Sequence, residues 1–277
     1  DGSRMVKEIQ QDFKDKTALI TGGARNIGLA VAKDLASRGA SVAVVDVCHD
    51  LETIPYQLST NRDLDKAVGE LSVFGVKVIG RTCDVRNESQ VKKTIAQVIE
   101  EFGKLDLLLN NAGVSSLFSL SELTEKAWDE VLDVCLKGTF FCCKTAIPYM
   151  VERKYGKVIN ISSVAGLKGL GLSVHYVAAK HGVIGLTKAL AMEVADHNIN
   201  VNAICPGTVE SPMLEGLASQ IKLEKDTYEH FSKGHLIKDR RITPQDIANA
   251  VRWLASEESR FLTGTVISID AGWLAGG

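Results

Sequence analysis

The sequence has little proline, no long apolar run and no excess of charge of one sign. Only 5 of its 277 residues are proline, and no apolar stretch approaches the roughly 18 residues that a membrane-spanning helix needs. Its 32 Lys and Arg nearly balance its 34 Asp and Glu, for a formal net charge of −2. A chain without a positive field has no general attraction for nucleic acid or for an anionic membrane. We therefore expect neither partner.

Cysteine is present, but without the spacing of a redox or metal motif. The six cysteines include no C-x-x-C pair, and the histidines show no ligand spacing. We expect buried free thiols in a reducing cytoplasm; a disulfide framework or a zinc site is the less favoured interpretation. The residues after Met5 lack the charged-then-apolar pattern of a signal peptide, so we expect none, and residues 1–4 are expected to be an expression remnant. The sequence thus predicts a cytoplasmic protein without a catalytic metal.

Glycine is abundant, and short apolar runs alternate with longer amphipathic stretches. Glycines recur singly at the ends of apolar runs, and the chain has 24 of them. Apolar strands separated by helices indicate a parallel sheet covered on both faces. We predict one doubly wound, Rossmann-like α/β domain over residues 5–277, with a mainly parallel seven-stranded sheet. The predicted strands are 17–20, 42–45, 76–81, 105–109, 157–161, 200–204 and 266–269, and the predicted helices are 27–37, 64–74, 91–102, 124–152, 174–195 and 244–255, the last capped by Thr243.

Two stretches interrupt this alternation. Residues 47–62 lie between the second strand and its helix and exceed the roughly 2–6 residues usual for such a connection. Residues 207–242 follow the sixth strand and begin with apolar side chains that include Met213, Leu214 and Leu217. A long excursion beyond the carboxyl end of a strand is where such sheets form substrate pockets. We therefore predict a substrate lid at about 207–242.

A glycine-rich turn follows the first strand and opens the first helix, from Thr21 to Gly28. Glycine lets the backbone approach a pyrophosphate, and a helix N-terminus supplies unpaired N–H groups and the positive end of a dipole. Asp46, at the end of the second strand, can accept hydrogen bonds from adenosine ribose hydroxyls and would repel a 2′-phosphate. The pattern predicts a dinucleotide site that favours NAD over NADP, although Arg25 points weakly the other way. A plain glycine-rich turn and a strand-end aspartate are the alternative.

Tyr176 and Lys180 are four residues apart in a predicted helix and so share one face. A phenol has a pKa of about 10 and is a poor base at neutral pH. A neighbouring ammonium and the positive nicotinamide would lower that pKa. Ser163 follows the fifth strand at the same edge and can hydrogen-bond a substrate oxygen. Taken alone, the Tyr–Lys spacing is also that of a surface pair.

Together these residues make the chain resemble the short-chain dehydrogenase/reductase family, in its form of about 250 residues. The resemblance extends from Phe13 to Trp273. Its ordered motifs are Thr21-Gly22 through Gly28, Asp84-Val85, Asn110-Asn111-Ala112-Gly113, Ser162-Ser163, Tyr176-Val177-Ala178-Ala179-Lys180, Pro206-Gly207 and Gly264 with Asp270-Ala271-Gly272.

The resemblance implies a role for each matched residue. Tyr176 is the general acid/base on the alcohol or carbonyl oxygen, Lys180 lowers its pKa and binds the nicotinamide ribose, and Ser163 polarises the carbonyl. NAD is the implied cofactor, and the hydride chemistry belongs to its nicotinamide. The residues expected to bind it are Gly22, Arg25, Asn26, Ile27, Gly28, Asp46, Val47, Asp84, Val85, Asn111, Ala112, Gly113, Ile161, Tyr176, Lys180, Pro206, Gly207, Val209 and Ser211.

Two positions depart from the family pattern. Asn26 replaces the middle glycine of the phosphate turn, and asparagine tolerates left-handed backbone better than other non-glycine residues, so we expect the turn to survive. Cys135 stands where the family usually has the asparagine of a proton relay from Tyr through Lys to water. A thiol is a weak donor, but the relay depends largely on a backbone carbonyl that any residue supplies. We expect activity to persist with a less rigid relay; a catalytically degenerate dinucleotide-binding protein is the alternative.

The sequence as a whole predicts an NAD(H)-dependent oxidoreductase, an alcohol dehydrogenase or carbonyl reductase. Its substrate is expected to be a small alcohol or ketone with hydrophobic surface, such as an alicyclic, terpenoid or steroid alcohol. A 3-oxoacyl thioester reductase is the alternative within the class. Residues 47–62 also loosely resemble a subgroup that includes carveol-type dehydrogenases; a subunit-contact or adenosine-covering loop is equally open. The family further implies a homo-oligomer, a tetramer or dimer, built on helices 124–152 and 174–195 and the C-terminal segment.

Overall fold

The seven predicted strands form one parallel sheet. The computed structural model describes residues 12–223 and 226–276, so the predicted remnant at 1–4 lies outside the described residues. The strands are β1 (Thr17–Thr21), β2 (Ser41–Asp46), β3 (Val78–Thr82), β4 (Leu107–Asn110), β5 (Gly156–Ile161), β6 (Ile199–Pro206) and β7 (Val266–Ile269). They lie in the order β3-β2-β1-β4-β5-β6-β7, and every neighbouring pair is parallel. The predicted fold class is confirmed.

Helices cover both faces of the sheet. They are α1 (Asn26–Ser37), α2 (Asn61–Ser72), α3 (Glu88–Phe102), α4 (Glu125–Leu132), α5 (Gly138–Arg153), α6 (Val174–Val194), α7 (Pro212–Gln220), α8 (Thr227–Phe231) and α9 (Pro244–Ala255). Helices α1, α2 and α9 contribute to one buried cluster, and α3, α4, α5 and α6 contribute to the other. Successive strand residues point to opposite faces: Leu19 joins one cluster, and Ala18 and Ile20 join the other. The central strands are therefore mostly apolar because both of their faces are buried.

Several predicted bounds are corrected by local chemistry. Helix α2 begins at Asn61 rather than 64, because Thr60 and Asp63 form a capping box. The predicted helix 124–152 is divided by a π-helical turn at 133–137. Strand β4 begins at Leu107, two residues after the predicted start. The cap at Thr243 is confirmed, since its side chain accepts from the N–H of Asp246 and the Asp246 carboxylate bonds back.

The strand order reverses between β1 and β4, and this reversal positions the site. In doubly wound sheets, ligands bind in the crevice at the carboxyl ends of the strands where the order reverses. Because all strands are parallel, Thr21, Asp46, Asn110, Ile161 and Pro206 end at the same edge. All six cysteines are free thiols, and only Cys48 is not fully buried. Within the described part of the chain, no helix has the length and apolar character needed to cross a membrane.

Candidate active site

A cavity of about 340 Å³ opens at the carboxyl edge of the sheet. Its walls include some residues of the segment 47–60, here called the strap. They also include some residues of 207–242, here called the lid, of which 207–223 and 226–242 are described. Among the described residues, the wall contains every predicted site residue except Gly28 and Cys135. These wall residues are Gly22, Arg25, Asn26, Ile27, Asp46, Val47, Asp84, Val85, Asn111, Ala112, Gly113, Ile161, Ser163, Tyr176, Lys180, Pro206, Gly207, Val209 and Ser211.

The turn after β1 keeps its shape with asparagine in place of glycine. Gly22 has φ +61° and Asn26 has φ +48°, so the expectation that Asn26 tolerates a left-handed conformation is confirmed. Gly28 lies behind the turn: a Cβ there would stand 2.2 Å from the carbonyl oxygen of Gly22. Asn111 braces the same turn, since its Nδ2 donates to the carbonyl oxygens of Thr21 at 2.9 Å and Gly22 at 3.0 Å. Gly28 is therefore a packing residue of the turn rather than part of the cavity wall.

The N-terminus of α1 is left open to a ligand. Its N-cap, Arg25, makes no side-chain cap hydrogen bond among the described residues. Helices α5 and α6 share this feature, whereas side chains cap α2, α3, α4, α7, α8 and α9. The Arg25 guanidinium turns instead to the strap and donates to the carbonyl oxygen of Gln57 at 3.0 Å. Uncapped N–H groups at a helix N-terminus form a ready site for an anion. The turn thus fits a phosphate group.

Asp46 is held in a fixed orientation at the end of β2. Its Oδ2 accepts from the N–H of Ala24 at 3.1 Å, and its Oδ1 accepts from the N–H of Val47 at 2.9 Å. The hydroxyl of Ser59, from the strap, also donates to Oδ1. A carboxylate offers about four lone-pair positions, so one remains for a ligand hydroxyl. The fixed negative charge suits a ribose diol and opposes a phosphate there.

Tyr176 and Lys180 lie on the first turns of α6, facing the end of β5. The Lys180 side chain is buried, and its Nζ stands 5.5 Å from the centre of the Tyr176 ring. Burial raises the pKa of the Tyr176 phenol, while the Lys180 ammonium and a hydrogen bond from Ser163 act to lower it. Ser163 also accepts from the N–H of Ala165 at 3.1 Å, which orients its hydroxyl. The structure thus brings the predicted hydroxyl, phenol and ammonium together.

Cys135 lies in the π-helical turn and is buried behind the wall. Its Sγ donates to the carbonyl oxygen of Val114 at 3.3 Å. Its own carbonyl oxygen accepts from the Thr139 hydroxyl at 2.8 Å. A part for Cys135 in a proton relay stays a prediction.

The far ends of the cavity have their own polar anchors. Near the predicted adenine side, burial opposes the charge of Asp84, but the Arg86 guanidinium bonds both carboxylate oxygens and holds the pKa of Asp84 below its usual value. At the lid side, Gly207 allows close packing, because a Cβ there would lie 2.8 Å from Nε2 of His235. That nitrogen accepts from the N–H of Thr208 at 3.2 Å.

Sequence reasoning missed several wall residues, and those with polar side chains include Tyr56, Ser59, Arg86 and Ser115. The unusual length of residues 47–62 marked the strap but not the two side chains that turn inward. Arg86 directly follows the Asp84-Val85 motif, and Ser115 follows shortly after Gly113. Their positions next to cofactor motifs were the signal by which Arg86 and Ser115 could have been found.

Known proteins similar to this chain come from a family model, from sequence relatives and from solved structures. The sequence model described as short chain dehydrogenase matches residues 16–222. The 3-oxoacyl-[acyl-carrier-protein] reductase of Thermotoga maritima is 36% identical and aligns over 94% of this chain and 98% of its own. The (−)-trans-carveol dehydrogenase of Rhodococcus erythropolis is 35% identical over 93% of this chain and 96% of its own. The crystal structure of carveol dehydrogenase from Mycobacterium avium in complex with NAD has a TM-score of 0.90 and 32% identity, covering 95% of this chain and 99% of that one.

Proposed function

This chain belongs to the short-chain dehydrogenase family of oxidoreductases, and we propose that it uses NAD(H) to interconvert a secondary alcohol and a ketone. The observation that carries the proposal is the meeting of Ser163, Tyr176 and Lys180 in one cavity with the phosphate turn and Asp46. A nucleotide-binding protein without chemistry has no need for a buried ammonium beside a buried phenol.

The cavity fits NAD on residues of this chain. The uncapped N-terminus of α1 would hold the pyrophosphate, and Asp46 would accept from the adenosine ribose. Asp84 and Val85 would flank the adenine, and Pro206, Gly207 and Val209, with Ser211, would surround the nicotinamide. The NAD complex of the Mycobacterium avium carveol dehydrogenase supports this assignment. When bound, the nicotinamide accepts or donates the hydride.

The protein's own groups handle the proton and the oxygen. We propose that Tyr176 takes the proton of the substrate hydroxyl during oxidation and returns it during reduction. Ser163 donates a hydrogen bond to the same oxygen, which stabilises charge there in either direction. Lys180 favours the phenolate by its charge, and the apolar walls keep bulk water from the reacting atoms.

The substrate side of the cavity suits a compact hydrophobic molecule. The lid contributes Met213, Leu214 and Leu217, and Leu117 joins them from the segment after β4. Alicyclic, terpenoid and steroid alcohols present such a surface beside a single hydroxyl. The similarity to two carveol dehydrogenases supports the alicyclic class.

Reduction of a 3-oxoacyl thioester is the second candidate. The 36% identity to the Thermotoga maritima 3-oxoacyl reductase favours it. It requires space for an acyl-carrier arm, and reductases of this kind more often use NADPH, which Asp46 disfavours. Cofactor choice therefore separates the two candidates.

We further propose that the protein works as a homo-oligomer, a tetramer or dimer. Helices α5 and α6 expose Phe140 and Met192, the latter 86% accessible, and Phe261 near β7 is also 86% accessible. Large apolar side chains on such faces favour contact with another copy. We also propose that the enzyme is cytoplasmic, because its free thiols suit a reducing environment.

The test is a panel of secondary alcohols, ketones and 3-oxoacyl thioesters with NAD(H) and NADP(H), followed at the nicotinamide absorbance band. We expect turnover of an alicyclic alcohol with NAD. Tyr176→Phe should abolish turnover while NADH still binds, as judged by fluorescence titration. Tyr149→Phe, on the exposed face of α5, is the matched control and should behave as wild type. Turnover retained by Tyr176→Phe would contradict the mechanism, and a silent panel with intact NADH binding would favour the degenerate binding protein.

A further inference from the structure

The strap contacts more of the cavity than its cofactor side. Ser59 donates to Asp46, and the Gln57 carbonyl receives Arg25, so this part of the strap belongs to the nucleotide region. Tyr56 points elsewhere. Its Oη accepts from the backbone N–H of Ser115 at 3.0 Å, in the segment that follows β4. A single short segment therefore contacts both the nucleotide half and the substrate half of the cavity.

Tyr56 also lies directly against the lid helix α7. A Cβ on Gly216 would stand 2.5 Å from both Cβ and Cδ1 of Tyr56. Gly216 is buried inside the helix, where glycine lowers helix stability relative to alanine. Its φ is not among the left-handed values, so backbone conformation does not require glycine here. The close approach of Tyr56 is the structural reason for glycine at this position.

A second support holds the C-terminal end of α7. Gln220 donates from Nε2 to the carbonyl oxygen of Leu117 at 2.7 Å, and its Oε1 accepts from the N–H of Leu117 at 2.8 Å. Leu117 belongs to the same segment as Ser115, which bonds Tyr56. The strap, this segment and α7 thus brace one another around a common corner of the cavity.

That corner is on the substrate side. Tyr56 lines the cavity together with Leu117, Leu214 and Leu217. Burial raises the pKa of the Tyr56 phenol, with the nearby Tyr176 adding to the rise. Tyr56 is therefore a neutral, fixed wall at physiological pH rather than a second base.

We propose that Tyr56 seats the lid helix α7 and thereby is a specificity-determining residue for the alcohol or ketone. The specificity role rests on the proposed function; the seating role rests on the contacts alone. The ring, held by Ser115 and facing Gly216, fixes how far α7 closes and so the width of the substrate pocket. Compact ring-shaped alcohols gain from this wall, whereas bulkier ones are excluded by it.

Gly216→Ala tests the contact, with Gly69→Ala as the matched control. Gly69 also lies inside a helix, and a Cβ there would meet nothing within 4 Å in the described part of the chain. In Gly216→Ala the added methyl must displace Tyr56 or α7. We expect the KM of the best alicyclic alcohol to rise about tenfold or more, as overpacking of a well-packed contact implies, with the Kd of NADH unchanged. Amide hydrogen exchange of residues 212–220, measured with NADH bound, should become faster in Gly216→Ala and stay unchanged in Gly69→Ala.

Two substitutions of Tyr56 complete the test. Tyr56→Gly removes both atoms that the new Cβ would strike, so adding Gly216→Ala to it should change neither exchange nor KM further. By itself, Tyr56→Gly should accelerate exchange in α7 and shift kcat/KM from compact toward bulkier secondary alcohols. Tyr56→Phe keeps the ring and leaves the buried N–H of Ser115 without its acceptor, so its preference should stay with compact alcohols while KM rises. Circular dichroism confirms that each variant is folded.

The outcomes separate this proposal from the function on which its specificity rests. If wild type turns over nothing in the panel, the specificity role fails together with the proposed function. The hydrogen-exchange data alone then test whether Tyr56 seats α7. If wild type is active but Gly216→Ala matches Gly69→Ala in both exchange and KM, the seat is overturned and the proposed function stands. Equal effects of Gly216→Ala with and without Tyr56→Gly would also overturn it, because the two residues would then act independently.

Discussion

Lys180 donates from its Nζ to the carbonyl oxygen of Ile161, the last residue of β5, at a distance of 2.8 Å. The bond joins α6 to the edge of the sheet and fixes a buried ammonium beside the Tyr176 ring. A buried charge is tolerated when it is hydrogen-bonded, and here the bonding partner is backbone that cannot move away. The charge is therefore positioned before any substrate arrives.

The first prediction concerns this ammonium. In Lys180→Met the phenol of Tyr176 loses the neighbouring charge that lowers its pKa, while its burial, which raises the pKa, stays. We expect kcat for alcohol oxidation to fall by about 100-fold or more, and the rising limb of the pH–rate profile to move to higher pH. Lys188→Met, on the exposed side of the same helix, is the control and should leave the profile in place. An unshifted profile in Lys180→Met would mean that the ammonium does not tune the phenol.

The second prediction concerns cofactor choice at Asp46. Asp46→Asn removes the negative charge at nearly constant size. In wild type the N–H groups of Ala24 and Val47 donate to the two carboxylate oxygens, and in the variant one of these oxygens becomes an NH2 group that cannot accept. We expect the ratio of kcat/KM for NAD to that for NADP to fall by about tenfold or more, because charge-assisted bonds to the ribose are lost and repulsion of a 2′-phosphate ends. Asp65→Asn, on the exposed surface of α2, should leave the ratio unchanged. If Asp46→Asn left the NAD-to-NADP ratio of kcat/KM unchanged, residues other than Asp46 would determine cofactor choice.

The fold could be predicted because its signals are local. The apolar run at 42–45 is a strand buried on both faces, and Thr243 with Asp246 three residues later is a helix start that needs no tertiary information. The phosphate turn could be predicted for the same reason. Its glycines, its position after β1 and the aspartate at the end of β2 can each be recognised in a short stretch of sequence. Even the departure at Asn26 was interpreted correctly from the backbone preferences of asparagine.

What could not be predicted depends on partners distant in sequence. Tyr56 acquires its place from Ser115, 59 residues away, and from Gly216 in the lid. Helix α7 was missed because Gly216 interrupts a short apolar stretch. Glycine stands at that position because Tyr56 of the strap packs against it. The π-helical turn at 133–137 carries no signal of its own in a run that otherwise reads as continuous helix. Packing between segments, rather than periodicity within one, decided these features.

The third prediction concerns stability at mildly acid pH. His235 is buried, and Nε2 accepts from Thr208 while Nδ1 has no partner in the described structure. Burial and, to a lesser degree, Lys238 lower its pKa below the ordinary 6.5, with Asp270 opposing them; burial also lowers the pKa of His175. The unfolded chain then binds more protons than the folded one as pH falls through 6.5, so the free energy of unfolding is greatest above that pH and declines below it.

His235→Gln checks this dependence, because its side-chain oxygen can accept from the N–H of Thr208 without titrating. Unfolding by urea between pH 5 and 8 should show a shallower decline in stability for His235→Gln than for wild type. His181→Gln, which changes an exposed imidazole on α6, should follow the wild-type curve. The same decline in all three proteins would assign the acid sensitivity to other groups, His175 first among them.

The last prediction contrasts two positions of the phosphate turn that a motif alone would treat alike. Asn26 already holds φ +48°, so Asn26→Gly removes a mild strain but also makes the unfolded chain more flexible. These effects oppose each other, and we expect the free energy of unfolding to change by less than about 1 kcal/mol, with little change in the Kd of NADH. Gly28→Ala is different, because its Cβ would stand 2.2 Å from the Gly22 carbonyl oxygen and 2.8 Å from Nδ2 of Asn111. Backbone must shift to admit it, so NADH should bind about tenfold or more weakly, while Gly69→Ala, with open space around it, should bind as wild type. If Asn26→Gly instead weakened NADH binding as much as Gly28→Ala does, the Asn26 side chain would be a ligand of the cofactor in its own right, and its departure from glycine would be a gain of contact rather than a tolerated substitution.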